Sequence, residues 1–577
     1  MGTREAGAWT RFGREAAVVG FFLLLAALAT RPLVLDLGRR TLAGPDPLID
    51  LWTVHWLTSH ALRPDKLFGG NIFYPEPHAV LFSDLSLGTA VLVAPLRPWV
   101  RDPVPLYNLA LLAALAFAGW AFHVLVRGRT GSTWAGLLSG TLAAFGSHQL
   151  SHVYHLNLLS TGWLALLLHA LHGLVERPGW RPAVLAGASF ALAALSSGYY
   201  AVAATLLALC FAAAHVPALG RRRVLAACAG AALLAAALAA PYARAFLELR
   251  RREALRRPPG MSASMAFDPR RDLTSHGLLY GRVLGSGGER LFPGLLCLVL
   301  AGAAVVRRRR GAAFYAAATG VLLLVALGPR LRLGGVELPL PYAWLFAIPP
   351  LDSMRHPYTF AAVATFTLAV LAGLGWPALR AAARPWAGPL IVAVAVVETL
   401  APAPRLAPYP QGLPPAYQAL EELPPGPILE VPVFEPETLL WAARHGRPTV
   451  NGIGAFAPSE TMVLERWVRN HWVRRTPADL DASAPVWLLG RTFRPRYLIV
   501  PAGRKPALRP LAAAFESSRV FERVAELPDG DRIYELHAER LPPAGPGEAG
   551  DDAETRDDGR LAPVVPPKLQ LAYTSSS

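Results

Sequence analysis

Charge is what this chain has least of. Only 17% of its 577 residues are Asp, Glu, Lys or Arg, and a soluble protein of this length carries more. Cysteine is nearly missing: Cys210, Cys228 and Cys297 all fall inside apolar stretches. That excludes a disulfide framework and a CxxC metal site, and the three thiols read as small core residues. The chain has no HExxH, P-loop, GxGxxG, nucleophile elbow or kinase signature, which argues against cytosolic nucleotide chemistry and weakens the case for a metal. It has no solenoid-type repeat.

Apolar sequence is there in abundance, at 53% of residues with a mean hydropathy of +0.34. Runs of bilayer length recur from Ala16 to about Pro402, which predicts an α-helical polytopic membrane protein. The candidate spans are about 16–36, 85–99, 104–126, 133–147, 157–174, 180–196, 199–218, 223–244, 291–306, 311–327, 357–375 and 386–402, or about 11–13 transmembrane helices. Arg4, Arg11 and Arg14 precede the first run. That run continues through Thr30 without a small-residue cleavage site, so it reads as an uncleaved helix. The formal net charge of +16 would suggest nucleic acid in a soluble chain. Here the arginines cluster at the ends of apolar segments, so topology explains them and no nucleic-acid partner is expected.

Basic clusters mark the cytoplasmic side: Arg221–Arg223, Arg307–Arg310, and Arg380 with Arg384. Parity then places residues 245–290, 328–356 and everything after Pro402 outside. Before Arg221 there are seven candidates where an even number is needed, so 85–99 or 133–147 is re-entrant or merged. If Arg127 and Arg129 are cytoplasmic, SHQLSHVYHLN (147–157) is external. The 245–290 loop opens with ELRRREALRR, strongly basic yet external. An anionic ligand and a solvated face touching lipid headgroups explain that equally well.

After Pro402 the composition changes. Residues 403–425 read as a Pro-rich linker. ILEVPVF (428–434) and RYLIVPA (496–502) read as strands, and 523–537 as a hairpin about Asp529–Gly530. Glu435–His445 and Glu460–Trp472 read as helices. The expected organisation is therefore a transmembrane domain over 1–402 and a small external α/β domain over 403–543. A Pro, Gly and acid-rich tail over 544–577 is expected to be disordered.

The chemistry concentrates in one loop, 44–84. Asp46 and Asp50 lie four residues apart at the start of a surface helix, and Asp84 closes the loop. Asp46 suits a base that takes the proton of an attacking hydroxyl. It suits a helix N-cap slightly better on spacing alone, which leaves Asp50 unexplained. His148, His152 and His155 would share one helix face, as metal ligand, sugar binder, phosphate partner, or polar satisfaction of a helix end. Arg355 and Arg330 are candidate phosphate forks or interfacial snorkels. Trp52, Trp56, Phe73 and Tyr74 could stack on a sugar, though an interfacial aromatic belt fits them better.

Several stretches together resemble the GT-C superfamily of polyprenyl-phosphate-sugar-dependent glycosyltransferases, and within it a group of bacterial multi-span membrane proteins. They are GPDPLIDLWTVHW (44–56), NIFYPEPHAVLFSDLSLG (71–88), SHVYHLNLLSTGWLALLLHALH (151–172), ERLFPGLLCLVLA (289–301), residues 326–360 and HGRPTVNGIGAF (445–456). The resemblance implies a GT-C-like fold in the bacterial inner (plasma) membrane, with the C-terminal domain periplasmic. It implies inverting transfer of a hexosyl or pentosyl group from a polyprenyl-phosphate donor to a glycan, lipid or protein acceptor. It puts Asp46 in the catalytic base position, with Asp50 and Asp84 as further acidic residues. His152, His155, Tyr74, Trp52, Arg355 and Arg330 are the substrate-binding candidates. Some superfamily members hold a divalent metal ion through such carboxylates and others do not, and no metal ligand is assigned here. The rival reading is a transporter or flippase of lipid-linked sugars, which should carry ionisable groups or broken helices at mid-membrane. A third is an assembly scaffold using the C-terminal domain.

Overall fold

The computed structural model describes residues 2–541 apart from 254, 334–335, 350, 379–383 and 475–476, together with 553–555 and 561–563. Arg380 therefore lies outside the described residues. So does most of the tail and its expected disorder; Ala553–Thr555 and Leu561–Pro563 pair antiparallel.

Ala- and Leu-rich runs form helices because these residues lose little side-chain freedom there. The first nine are α1 (Gly2–Ala29), α2 (Pro45–Ser59), α3 (Leu87–Val93), α4 (Pro103–Thr130), α5 (Thr133–Ala144), α6 (Ser147–Ser151), α7 (Gly162–Glu176), α8 (Trp180–Ala194) and α9 (Gly198–Ala214). Apolar helices follow at Arg222–Arg252, Leu295–Val306, Ala312–Ala326, Tyr358–Gly375 and Ala387–Thr399. Each candidate span thus coincides with a described helix. Four described segments are long and apolar enough to cross a membrane: Pro103–Thr130, Leu156–Glu176, Arg222–Arg252 and Tyr358–Gly375. Close packing uses small residues. A Cβ on Gly119 would come within 2.4 Å of the Phe22 ring, and one on Gly140 within 2.5 Å, so α1, α4 and α5 meet around that ring.

The parity conflict bears on α3. The apolar run Leu87–Leu96 is about 15 Å long, half of a hydrocarbon core. Both its ends touch the same end of the bundle. Asp84 before it binds Asn157 at 2.6 Å. Asp102 after it binds Arg444 of the C-terminal unit at 2.9 Å, and Arg97 bonds Ser59 Oγ at the end of α2. A segment this short with both ends at one end of the bundle matches the re-entrant alternative for 85–99. The opposite end of the bundle holds ion pairs of its own, between Arg127 and Glu15, Arg129 and Glu176, and Arg310 and Glu176.

The 245–290 loop is also revised. Its ELRRR opening continues the 31-residue helix Arg222–Arg252. Its arginines meet acids from distant segments: Arg250 and Arg256 pair with Asp352, and Arg252 with Glu76.

The strands are β1 (Arg40–Leu42), β2 (Arg330–Leu333), β3 (Val336–Pro339), β4 (Leu406–Pro408), β5 (Ile428–Glu430), β6 (Tyr497–Val500), β7 (Phe521–Glu526) and β8 (Arg532–Leu536). β2 and β3 form a hairpin. β5, β6, β8 and β7 form a four-stranded sheet in that order. β5 and β6 are parallel and the other pairings antiparallel. Gly530, at φ +87°, sits in the β7–β8 turn, where a positive φ favours glycine. The helices Glu437–His445 and Ser459–Val468 flank the sheet. Two expectations shift. The expected strand 428–434 keeps ladder pairing over only three residues. The expected linker 403–425 is structured, because β4 pairs with β1 and Pro415–Glu422 is a helix. The C-terminal unit is thus stitched to the bundle. Tyr74 N donates to Thr449 O, and Asn71 Nδ2 to Ala442 O.

Candidate functional site

The site is built from α2. Gly44 precedes it with φ +121°, a conformation glycine adopts at no steric cost. Pro45 and Pro47 then hold the first turn. This corrects the capping expectation: Gly44 occupies the cap position, no side-chain cap bond is present, and Asp46 is already helical. Its carboxylate turns instead to His155, with Oδ2 3.5 Å from Nε2 and the side chain 48% exposed.

Three of the five carboxylates of the 44–84 loop, Asp46, Asp50 and Asp84, converge on three consecutive residues. Asp46 faces the His155 ring. Asp50, 7% exposed, accepts from Leu156 N at 2.8 Å and from Ser86 Oγ at 3.0 Å. Asp84 accepts from Asn157 Nδ2 at 2.6 Å, Ser197 Oγ at 3.2 Å and Gly198 N at 3.3 Å. Only Asp46 is open. Asp50 fixes the backbone next to His155 through Leu156 N, and Asp84 ties the Asn157 side chain to the start of α9.

The expected single helix of histidines is shorter than its spacing suggests. α6 ends at Ser151, and His155 is extended. The three rings still form a row, at 4.1 Å and 5.8 Å between centroids. Glu289 organises them: His152 Nε2 lies 3.3 Å from its carboxylate, and His148 Nδ1 3.1 Å from its carbonyl. Arg355 enters just before the helix Tyr358–Gly375. Tyr199 Oη accepts from Arg355 N at 2.9 Å and His356 N at 3.0 Å, which fixes the turn, and the Arg355 charge reaches Asp46.

Asp46, Asp50, Asp84, His152, His155 and Arg355 are therefore brought together. The remaining candidates are engaged elsewhere. Trp52 is buried, with its indole N–H on Asn71 Oδ1 at 2.9 Å, so its ring is closed off by packing. Tyr74 packs against the C-terminal core. Arg330 pairs with Glu337 across the β2–β3 hairpin at 2.8 Å. Sequence reasoning missed Glu289, Asn157, Ser86 and Tyr199. Glu289 had one signal, as an acid at the end of a basic loop just before an apolar span. The others acquire a role only through the fold.

The electrostatics separate the groups. Burial pushes the Asp46 carboxyl up, but the hydrogen bond and charge of His155 and the charge of Arg355 outweigh it, so the group sits below the usual range. Burial pushes His155 down, but Asp46, Asp50 and Glu289 outweigh it and raise it. Both shifts run in the direction that favours an ion pair between the two groups. Burial lifts Asp50 to about 7 despite the bonds from Leu156 and Ser86. Burial also keeps His148 and His356 neutral, aided by their charged neighbours. Asp50 and Asp84 are committed to N–H and O–H donors, and among the described residues no three His, Cys, Asp or Glu converge as metal ligands.

No protein-family model and no curated protein sequence matches the chain. Among solved structures it is similar to the oligosaccharyltransferase AglB from Archaeoglobus fulgidus in complex with an inhibitory peptide and a dolichol-phosphate, at 11% identity and TM-score 0.43 over 92% of this chain and 75% of that one. It is also similar to apo ArnT from Cupriavidus metallidurans, at 13% identity and TM-score 0.45 over 93% of this chain and 100% of that one.

Proposed function

We propose that the chain is an inverting membrane glycosyltransferase of GT-C type. It moves a sugar from a polyprenyl-phosphate donor to an acceptor hydroxyl at the external membrane face. The observation that carries this is the half-exposed Asp46 carboxylate, held through Oδ2 by His155 and lying in the field of Arg355. Oδ1 is left to take the acceptor proton as the new C–O bond forms at the anomeric carbon. The bond to the lipid phosphate breaks on the opposite side of that carbon, and Arg355 stabilises the departing phosphate with its forked donors. An ionised Asp46 is available as base because its pKa is held low. The basic end of the bundle, with Arg221–Arg223 and Arg307–Arg310, is assigned to the cytoplasm. The site end is then external. The transfer assay for Asp46 variants described in the Discussion tests the assignment.

Two outcomes follow. Arg355→Lys keeps the charge and loses the fork, so donor KM should rise about tenfold with folding intact. Unchanged donor affinity in Arg355→Ala would make Arg355 an interfacial anchor only. Ser517 is exposed on the C-terminal unit. A cysteine placed there should react with a membrane-impermeant thiol reagent in intact cells. Labelling only after lysis would put the site on the wrong side of the membrane.

A further inference from the structure

The stretch HGRPTVNGIGAF (445–456) takes no direct part in the site described so far, yet its end returns to it. Phe456 N donates to Phe82 O at 2.9 Å, and Ala455 N to Ser83 Oγ at 3.0 Å, one residue before Asp84. A Cβ on Gly454 would stand 2.9 Å from Ser83 Oγ and 3.1 Å from Phe82 O, so this approach depends on glycine.

What the segment seats is Arg257. The Ala455 carbonyl accepts from Arg257 Nη2, and the Phe456 ring lies 3.9 Å from the guanidinium carbon, a cation–π contact. Arg257 is only 6% exposed, and its Nε has no partner among the described residues. The chain around it is stitched to the turn that carries Arg355. Arg257 N donates to Asp352 O at 3.1 Å, and Ser262 Oγ to Met354 O at 3.0 Å. The nearby Asp352 carboxylate pairs with Arg250 and Arg256 instead. Burial and the charge of Arg355 depress the Arg257 guanidinium to about 10. A buried cation beside a second cation, with a free N–H, is costly unless an anion joins them.

We infer that Arg257 is a second anion-binding residue that acts with Arg355 on one phosphate monoester group, and that residues 452–456 position it. This deepens the lipid-phosphate reading and rests on it for the source of the anion. The C-terminal unit thereby becomes a wall of the donor site. Bulk phospholipid and free phosphate share the chemistry, and the test separates them.

The full-length protein is titrated in detergent with undecaprenyl phosphate, phosphatidylglycerol or inorganic phosphate, with binding read by native mass spectrometry. Arg257→Gln should weaken undecaprenyl phosphate about ten- to a hundredfold, and Arg257→Lys less. Phe456→Leu should raise donor KM with little change in kcat, and Phe456→Tyr should restore it. These variants keep the test decisive if Arg257→Gln lowers the melting temperature. Equal lipid-phosphate binding by wild type and Arg257→Gln would overturn the inference and leave the donor reading standing. Binding of inorganic phosphate alone, dependent on Arg257, would keep the anion site and overturn the lipid donor. Binding of phosphatidylglycerol as tight as undecaprenyl phosphate would make the site a bulk-lipid contact and overturn the inference. Wild-type protein that binds none of the three would overturn both.

Discussion

Asp46→Asn should cut sugar transfer by about two to four orders of magnitude, the typical contribution of a positioned acid or base. Expression, melting temperature and donor binding should stay near wild type. The amide is nearly isosteric and can still accept a bond from His155, but it cannot take a proton from the acceptor. Because Gly44 rather than Asp46 occupies the cap position, Asp46→Ala loses no cap bond. It loses the His155 pair and the favourable interaction of an acid with the first helical turn, the latter about 0.3–1 kcal/mol. Turnover and melting temperature measured on both variants separate catalysis from folding. Near-normal transfer by the Asn variant would remove Asp46 as the base. The pH dependence has a matching sign. Since Asp46 is depressed, the acid limb of kcat/KM for transfer should fall below the ordinary carboxylate range.

The second large effect is expected at Asp50, through structure. Asp50→Ala leaves Leu156 N and Ser86 Oγ without their acceptor, at about 2–4 kcal/mol for the unmet buried donors. Transfer should drop at least about tenfold because His155 loses its fixed backbone. Asp50→Asn should rescue most of both, since its carbonyl can serve Leu156 N and its amide can donate to Ser86. The pH signature follows from the raised pKa. Asp50 titrates near 7 when folded and near 4 when unfolded. The folded state therefore binds the extra proton between those values, so stability declines as pH rises from about 4 to about 7 and then levels off. Melting temperatures across that range should show a slope in wild type that Asp50→Asn lacks. An identical slope in both would dismiss Asp50 as its source.

Apolar runs were readable because bilayer thickness sets their length, and each candidate span coincides with a helix. The 85–99 run stayed ambiguous for a physical reason: hydropathy counts apolar residues but does not register that Asp84 and Asp102 are tied to one end of the bundle. The basic 245–290 loop is similar. Its arginines look like a free patch until the fold brings Asp352 and Glu76 to them. Asp46 could be picked out from its two flanking prolines and its place after the first helix. Asp50 and Asp84 could be picked out as acids but not as backbone anchors, because Leu156 and Asn157 lie far along the chain. Trp52 illustrates the limit of composition: a buried ring and an interfacial ring are the same letter.

The stitching of the C-terminal unit to the first loop also governs biogenesis. Asn71 finds Ala442 across 371 residues, and Ser83 finds Ala455 across 372. Such contacts close late, after the intervening chain has been ordered. A ribosome that has delivered every apolar helix has still not delivered Ala442 and Ala455, so a chain truncated or stalled before them would hold its first loop without these two partners.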